Sequence, residues 1–208
     1  MNFYEQWILP RLIDVAMRNK EATRYRSRIV PQARGSVLEI GVGSGLNLPF
    51  YGAGVEQLYA LDPSEELLTM ARKKARGMVL PIKFITHSGE AIPLDTGSVD
   101  TVVTTWTLCT IPDPVQALKE MRRVLKPDGI MLFAEHGLAP EANVRGWQRR
   151  LNPLWRRIAG GCNLDRKIDQ LMQTAGFQIT AIKTDYAKGP RPMSYVYAGQ
   201  AQPGKSDS

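Results

Sequence analysis

Short apolar runs alternate with stretches of helical periodicity along the middle of this 208-residue chain. Such alternation predicts parallel strands joined by right-handed helical crossovers. The predicted strands span residues 36–40, 58–61, 82–86, 99–105 and 129–135. Two later runs, 177–184 and 193–199, have the spacing of an antiparallel hairpin that joins the same sheet. The pattern therefore predicts a mostly parallel seven-stranded sheet that ends in a hairpin.

Helix signals lie between these runs. Ser64 is predicted as an N-cap, and Gly77 ends the helix that follows it. A second helix is predicted over 114–125, with a turn at 126–129 leading into the next strand. Residues 137–164 are interpreted as a long connection, and a further helix is predicted over 165–175. An amphipathic segment at 7–17 is interpreted as packing on the domain, because its length and Pro10 disfavour a membrane-surface helix.

Composition and length predict one domain. Apolar residues make up 43% of the chain and charged residues 23%, which is typical of a globular protein. We expect a single domain over 1–200, with a helical cap (1–34), a core (35–136), the connection (137–164) and a last helix with its hairpin (165–200). Residues 201–208 are expected to form a disordered tail.

The number of cysteines and the length of the apolar runs indicate the expected cellular compartment. With only two cysteines, a disulfide framework is not expected, a zinc site built on several thiolates is excluded, and we predict no metal site. No run reaches the ~20 apolar residues of a membrane span, and no signal peptide is apparent. The cytosol is therefore the expected location.

The net charge of +7 is concentrated in two segments. Residues 1–34 carry seven basic against three acidic residues, and 141–167 carry seven against two. A basic excess is compatible with nucleic acid or anionic lipid, but a solvated face is the interpretation that we prefer. Strands with interleaved aromatic and basic residues are absent, which argues against RNA binding.

The chemistry-bearing motif follows the first predicted strand. Glu39 is followed by alternating glycines at Gly41, Gly43 and Gly45. Glycine allows backbone angles and a close ligand approach that a Cβ would forbid. A dinucleotide fingerprint needs a glycine one residue later, at Leu46, so binding of NAD is disfavoured. Asp62 ends the second strand 17 residues after Gly45, which predicts a carboxylate beside this loop that can accept from both hydroxyls of a ribose.

This combination of an acid, three glycines and a second acid resembles the S-adenosylmethionine site of class I methyltransferases. The resemblance covers about residues 35–136 and implies a Rossmann-like, doubly wound α/β fold whose core binds S-adenosylmethionine. It implies that the glycine loop runs past the methionine portion of the cofactor, that Asp62 holds the ribose, and that Glu39 supports the site near the cofactor amino group. The residues that we predict to bind the cofactor are Glu39, Gly41, Gly43, Gly45, Asn47, Asp62, Pro63, Ser88, Gly89, Glu90 and Thr105.

One position departs from that family. Many relatives have Gly-Asp-Ala-Glu after the third strand, where the Asp meets the adenine, but here Ser88 occupies the Asp position and only Glu90 is preserved. The contact to adenine would then come from the Ser88 hydroxyl or from backbone. The fourth strand ends without the Asn/Asp-Pro-Pro-Tyr/Phe motif of enzymes that methylate nucleic-acid amines, which argues against base N-methylation.

Further segments of the chain resemble a narrower group that includes animal alkyl thiol methyltransferases. These segments are residues 46–51, directly after the glycine loop, and residues 123–129, 133–136, 152–157 and 161–164. The resemblance implies a small-molecule acceptor, with a thiol favoured and a quinone ring or phospholipid headgroup as the alternative. It also implies that the connection at 137–164 is part of a substrate lid. The animal members have an apolar N-terminal anchor that the short segment at 7–17 does not match, so membrane contact is not favoured.

His136, after the fifth strand, is the candidate catalytic base, and a histidine bonded only to backbone is the alternative. The candidates for acceptor binding are Trp106, Trp147, Trp155 and Arg157, each of which could instead be packing. Cys109 and Cys162 are interpreted as small buried apolar residues, since methyl transfer needs no enzyme thiol. A non-catalytic cofactor-binding module, an RNA-binding protein and an NAD oxidoreductase are the other classes considered. The oligomeric state stays open.

Overall fold

A computed structural model describes residues 9–204, with side chains from residue 11 onward. The elements in chain order are α1 (Leu9–Met17), α2 (Lys20–Ile29), β1 (Gly35–Ile40), β2 (Val55–Asp62), α3 (Glu65–Lys74), β3 (Ile82–Thr86), β4 (Val99–Thr105), α4 (Pro114–Val124), β5 (Leu125–His136), α5 (Ala142–Ile158), α6 (Ile168–Thr174), β6 (Phe177–Tyr186), α7 (Arg191–Ser194) and β7 (Tyr195–Pro203). Short 3-10 helices span Val30–Gln32 and Leu48–Phe50.

The seven strands form one sheet in the order β3-β2-β1-β4-β5-β7-β6. Strands β1 to β5 pair in parallel, whereas β7 pairs antiparallel with both β5 and β6. Strands β2 and β3 lie on one side of β1, and the chain then crosses back to form β4 on the other side of β1. Parallel strands open a crevice at their carboxyl ends where the order reverses in this way. The predicted doubly wound, Rossmann-like sheet with a C-terminal antiparallel hairpin is confirmed.

Side chains alternate between the two faces of the sheet and bury a core on each. From β1, Leu38 and Ile40 join the core beneath α4 and α6, whereas Val37 joins the core on the opposite face. Burial on both faces explains why the parallel strands are continuous apolar runs rather than alternating ones. Both cores hold the carboxyl ends of β1, β2 and β4 in place, and the candidate site lies there.

Local signals set the helix ends as predicted. The Ser64 hydroxyl accepts a hydrogen bond from the backbone N–H of Leu67, and α3 follows it. Asp113 caps α4 by accepting from the N–H of Gln116. The predicted turn at 126–129 interrupts the pairing of β5, whose register with β4 shifts between Leu125 and Ile130.

The helical cap expected over 1–34 contains a second helix, α2, beyond the predicted segment 7–17. Two predictions need correction. The connection predicted over 137–164 contains the 17-residue helix α5, which continues through Pro153. The disordered tail predicted from residue 201 is wrong for residues 201–203, which pair in β7; residues 205–208 lie outside the described residues, as do Trp7 and Ile8 of the predicted first helix. Within residues 9–204 no helix has the length and apolar character needed to cross a bilayer.

Candidate active site

The glycine loop leaves β1 through three residues with positive φ. Gly41, Gly43 and Gly45 have φ of 70°, 55° and 78°, a region that side chains with a Cβ rarely adopt. The backbone N–H of Gly41 donates to the carbonyl of Leu61 on β2 at 2.8 Å. A Cβ on Gly41 would lie 2.3 Å from Thr107 Oγ1, so the loop also needs glycine here for space.

Asp62 closes the loop from the neighbouring strand. Its Oδ2 accepts from the backbone N–H of Gly43 at 2.9 Å, and its Oδ1 accepts from the N–H of Ser64 at 2.9 Å. Burial raises the pKa of Asp62, and the two backbone hydrogen bonds oppose that shift. A carboxylate has about four acceptor positions, so two remain for a ligand beside the loop.

A cavity of about 350 Å³ opens beside this loop, and we call it the glycine-loop cavity. The predicted cofactor-binding residues that line it are Glu39, Gly41, Gly43, Asn47, Asp62, Pro63, Ser88, Gly89 and Thr105. Residues from α1, α2 and the segment after β4, which the motif did not indicate, complete its wall: Ile13, Asp14, Met17, Arg26, Thr107, Ile111 and Pro112.

Two predicted cofactor residues lie outside this cavity. A Cβ on Gly45 would lie 2.8 Å from Leu48 Cδ1 and 3.1 Å from Ala71 Cα, so Gly45 allows the loop to pack on α3. Glu90 accepts from the Ser88 hydroxyl at 2.9 Å and from the backbone N–H of Asp113 at 2.7 Å. Both residues therefore shape the wall from behind.

The Ser88 hydroxyl has a constrained role at the adenine end. It donates to Glu90 and accepts from the backbone N–H of Glu90 at 3.2 Å. Because its hydrogen is already used, the Ser88 oxygen can only accept from a ligand, as from an exocyclic amine.

Glu39 lies at the base of the glycine-loop cavity in a network of neutral donors. Its two oxygens accept from Asn47 Nδ2 at 2.8 Å and from the Tyr51 hydroxyl at 2.8 Å. Asn47 Nδ2 also donates to Thr105 Oγ1 at 3.0 Å. Burial raises the pKa of Glu39 to about 7, against the opposing effect of these hydrogen bonds and of Arg26. A cationic ligand group nearby would restore the carboxylate.

Asn47 provides a test of whether a zwitterionic nucleoside fits this cavity. Its Oδ1 is buried and accepts no hydrogen bond from any residue that the structure describes. A buried acceptor without a donor is costly, so it indicates a donor supplied by a ligand. An acceptor beside a buried carboxylate suits the amino group of the methionine portion of S-adenosylmethionine.

Trp106 separates this cavity from a second one. It has a φ of 52°, unlike any other non-glycine residue among those described, and backbone strain of this kind is concentrated at functional sites. The Arg26 guanidinium lies 5.0 Å from the centre of its ring, and Tyr25 packs against its edge. Burial lowers the pKa of Arg26 to about 10. The buried Glu135 carboxylate accepts from the N–H groups of Thr107 and Leu108, each at 3.1 Å, and so holds the turn after Trp106.

Helix α1 is attached to the glycine loop by a buried polar cluster. Asp14 is 4% exposed and accepts from the Ser44 hydroxyl and from Lys74 Nζ at 3.1 Å. Lys74 Nζ also contacts the Ser44 hydroxyl at 3.0 Å. Burial would raise the pKa of Asp14, but hydrogen bonds from Ser44, Arg18 and Lys74 outweigh it and lower that pKa. These contacts hold α1 over the mouth of the glycine-loop cavity.

The second cavity, of about 450 Å³, is called here the cysteine cavity. Its wall is formed by mostly apolar side chains of α1, α2, the end of α5 and residues 187–196, together with Cys109, His136 and Cys162; Glu21 and Lys188 are its charged residues. Ile13, Met17, Trp106 and Thr110 line both cavities, so the two are adjacent.

His136 and Cys162 are in contact in this second cavity. Cys162 Sγ lies 3.5 Å from His136 Nε2 and 3.5 Å from Cys109 Sγ, and neither cysteine is in a disulfide. Hydrogen bonding with Cys109 and His136 lowers the pKa of Cys162, whereas the pKa of Cys109 is raised. Burial opposes the imidazolium of His136, but Cys162 outweighs it and raises the His136 pKa. This contact between distant residues had no signal in the sequence.

The four candidates for acceptor binding separate into two pairs. Trp106 and Trp155 line the cysteine cavity. Trp147 and Arg157 line neither cavity; the Trp147 side chain is 56% exposed and stacks with Arg150 at 5.7 Å. The placement of Trp147 and Arg157 is therefore a correction, because α5 turns its Val144 and Gln148 face inward instead.

Comparison with known proteins agrees with this geometry. A methyltransferase-domain family model matches residues 38–133, from β1 through most of β5. Thiol S-methyltransferase TMT1B of Homo sapiens is 32% identical over 176 residues, which cover 82% of this chain and 70% of that protein. Phosphatidylethanolamine N-methyltransferase of Cereibacter sphaeroides is 34% identical over 119 residues, covering 56% of this chain and 58% of that protein.

A solved structure of a Haloferax volcanii methyltransferase, described as putative and in complex with the Trm112 methyltransferase activator, has the same fold. It superposes with a TM-score of 0.74 over 99% of both chains at 17% sequence identity. The glycine loop, Asp62 and these likenesses together place the chain in a family: it belongs to the S-adenosylmethionine-dependent methyltransferases.

Proposed function

We propose that this methyltransferase acts on small thiols and forms methyl thioethers. The observation that carries the proposal is the cysteine cavity, an apolar pocket that adjoins the glycine-loop cavity along Trp106 and Thr110. Its size and lining suit a small apolar molecule rather than a polymer. The likeness to TMT1B, a thiol S-methyltransferase by name, supports the same acceptor class.

The cofactor-binding roles proposed for individual residues follow from their contacts. Asp62 has free acceptor positions for the ribose hydroxyls, Asn47 Oδ1 and Glu39 face the amino group, and Ser88 with Gly89 border the adenine. S-adenosylmethionine supplies a methyl group on a sulfonium sulfur, and the methyl carbon exchanges that bond for one to the acceptor while the electron pair stays on the departing sulfur. Since positive charge disappears in this reaction, alignment and exclusion of water are the main tasks of the protein.

His136 is the proposed catalytic residue for proton removal from the acceptor. Its ring reaches the cysteine cavity and contacts Cys162 there. A free thiol of pKa about 8.5 is only a few per cent thiolate at neutral pH, so a group that removes its proton accelerates transfer. Trp106 and Trp155 are proposed to border the acceptor. The cytosol remains the proposed compartment, because both cysteines are free thiols.

The test is transfer of an isotope-labelled methyl group from S-adenosylmethionine to a panel of acceptors. The panel contains small alkyl and aryl thiols, a phenol, a demethylated quinone and phosphatidylethanolamine vesicles, with products identified by mass spectrometry. Methyl thioethers formed from the thiols, with less product from the other acceptors, are the expected result. Turnover confined to the quinone or the lipid would replace the thiol with the alternative acceptor.

A matched variant links the activity to the cysteine cavity. Trp155→Ala opens its wall and is expected to raise the KM for thiols more than it lowers the affinity for S-adenosylhomocysteine. Trp147→Ala, at an exposed position on the same helix, is the control. Equal kinetic effects of the two substitutions would remove the cysteine cavity from the acceptor site.

A further inference from the structure

Three potential metal ligands from distant parts of the chain meet at one end of the cysteine cavity. Cys162 Sγ lies 3.5 Å from Cys109 Sγ and 3.5 Å from His136 Nε2. One ligand atom from each of the three residues lies within 4.8 Å of the other two. No other such group of histidine, cysteine and acidic side chains occurs in the part of the chain that the structure describes.

Two of the three separations, both from Cys162 Sγ, are close to the edges of a tetrahedral site, and the third ligand pair lies within 4.8 Å. With metal–sulfur bonds of about 2.3 Å and metal–nitrogen bonds of about 2.0 Å, zinc places two thiolates about 3.8 Å apart and a thiolate about 3.5 Å from an imidazole nitrogen. A disulfide instead requires its sulfurs to be about 2.05 Å apart, far closer than the 3.5 Å found here. The side chains are therefore closer to the geometry of metal ligation than to that of a disulfide.

Hydrogen bonds and strand pairing hold these ligands in place. Asn163 fixes the Cys162 segment to Cys109, because its backbone N–H and its Nδ2 both donate to the Cys109 carbonyl, at 2.8 and 2.9 Å. His136 is the last residue of β5 and pairs with Val196 of β7. Preorganised ligands with supporting hydrogen bonds are a requirement for a metal site.

Charge and burial favour a divalent cation at this position. Cys109 is 2% exposed and His136 is 7% exposed. A buried thiolate of Cys109 and a half-buried thiolate of Cys162, with a neutral imidazole, carry two negative charges, which a divalent ion neutralises. The soft sulfur ligands and the imidazole suit zinc, and three protein ligands with an open fourth position are typical of catalytic rather than structural zinc.

We propose that Cys109, His136 and Cys162 bind a zinc ion whose fourth coordination position opens into the cysteine cavity and takes the sulfur of the thiol acceptor. The inference rests on the proposed thiol methyltransferase function and deepens it. On binding, each cysteine releases one proton to solvent, and the acceptor releases another as its sulfur binds, so the acceptor is held as a thiolate. In this form His136 is a ligand through Nε2, and the metal replaces it as the means of removing the acceptor proton.

The first test measures metal content directly. The full chain is reduced with a phosphine, because a thiol reductant would itself bind the metal. It is then equilibrated with zinc and freed of excess metal, and its zinc content is measured by elemental mass spectrometry. One zinc per chain is expected. Cys162→Ser, Cys109→Ser and His136→Ala should each lose it, whereas His87→Ala, at the only other histidine of the sequence, should retain it.

A second test replaces zinc with cobalt to examine whether the fourth coordination position takes a thiol. Cobalt(II) in place of zinc should give thiolate charge-transfer absorption, and addition of a small thiol should change the d–d bands. Wild-type zinc content no higher than that of Cys162→Ser overturns the proposal. A cobalt spectrum that thiols leave unchanged overturns the proposed acceptor position.

Activity separates this inference from the proposed function. Chelation of the zinc should lower thiol methylation by ~10-fold or more, and returning zinc should restore it. Full thiol methylation by the metal-free protein would overturn the zinc site and leave the proposed function intact. One tightly bound zinc per chain without thiol methylation would overturn the proposed function and leave the zinc site intact. An unchanged stabilisation by S-adenosylhomocysteine shows that each variant is folded and binds its cofactor.

Discussion

The backbone N–H of Gly43 donates a hydrogen bond of 2.9 Å to the carboxylate of Asp62. This bond joins the loop after β1 to the end of β2, so one side chain sets the shape of the glycine loop and also lines the glycine-loop cavity. The loop cannot move away from β2 without leaving Asp62 with an unpaired, buried oxygen. The cofactor-binding loop is therefore held by the same residue that is proposed to bind the ribose.

Replacement of Asp62 by alanine is expected to weaken binding of S-adenosylhomocysteine by about 1–3 kcal/mol, because both the ribose contact and the hydrogen bond to the loop are lost. Isothermal titration calorimetry measures this change. Asp128→Asn, in the exposed turn before the last part of β5, is the control. An affinity equal to that of the wild type would refute the role assigned to Asp62.

Glu39 predicts a characteristic dependence of stability on pH. Its pKa rises from 4.5 to about 7 on burial, so the folded protein binds more protons than the unfolded chain between these values. The free energy of unfolding should therefore decrease as pH rises through this window, with a contribution of roughly 2–3 kcal/mol from Glu39. Glu39→Gln removes this contribution and keeps an acceptor for Asn47.

Urea unfolding of both proteins in the absence of cofactor, from pH 5 to pH 8, measures that difference. The variant should gain stability relative to the wild type as pH rises, with the gain complete above about pH 7. Glu135 has a similarly raised pKa of about 7 but is present in both proteins, so it cancels in the comparison. A difference that does not change with pH would show that Glu39 is ionised throughout.

The contact of Asp14 with Lys74 predicts that α1 is coupled to the glycine loop. Asp14→Ala and Lys74→Ala should each weaken cofactor binding, and a double-mutant cycle should give a coupling free energy of about 0.5–3 kcal/mol. The buried position of Asp14 is the reason for a coupling larger than that of a surface ion pair. Calorimetric titration of the four proteins provides the cycle. Additive effects would mean that α1 is not held by this pair, and Asp95→Asn is a control at an exposed aspartate.

Two glycines should respond in opposite directions to alanine. Gly146 lies on the exposed side within α5, and a Cβ there would have no atom within 4 Å, so Gly146→Ala should stabilise the protein by about 0.5–1 kcal/mol. Gly41→Ala should destabilise it, since φ is 70° and the added carbon would overlap Thr107. Thermal and urea unfolding check both changes. Stabilisation by both would contradict the assigned conformation of the glycine loop.

Local pattern is sufficient to predict some elements of the fold and not others. Strands 82–86 and 99–105 were predicted to the residue because both runs are rich in β-branched and aromatic side chains. Helix α2 was expected only as an undivided part of the helical cap over 1–34, because one of its inward positions is occupied by Arg26, which replaces an apolar residue in the periodicity. Helix α5 was missed because Pro153 lies within it and its buried face includes Gln148.

Some residues of the candidate site were also predictable from the sequence, whereas the roles of others were not. Glu39 and Asn47 were predicted from the glycine motif and the residues beside it, and Asp62 from its place at the end of the next strand. Gly45 and Glu90 belong to the same motif but act from behind the cavity wall, a difference that only packing shows. The cluster of Cys109 with Cys162 joins residues 53 positions apart, and no local pattern indicates which strands and loops bring them together.

The position of β7 between β5 and β6 has a consequence for synthesis of the protein. The ribosome releases β6 before β7, yet β6 has no strand to pair with until β7 has added to β5. The edge of β5, which includes His136, consequently stays open until residues 195–203 have emerged. Cotranslational folding can complete the half of the sheet that holds the glycine loop early, whereas the half beside the cysteine cavity is assembled only after the last strand has left the exit tunnel.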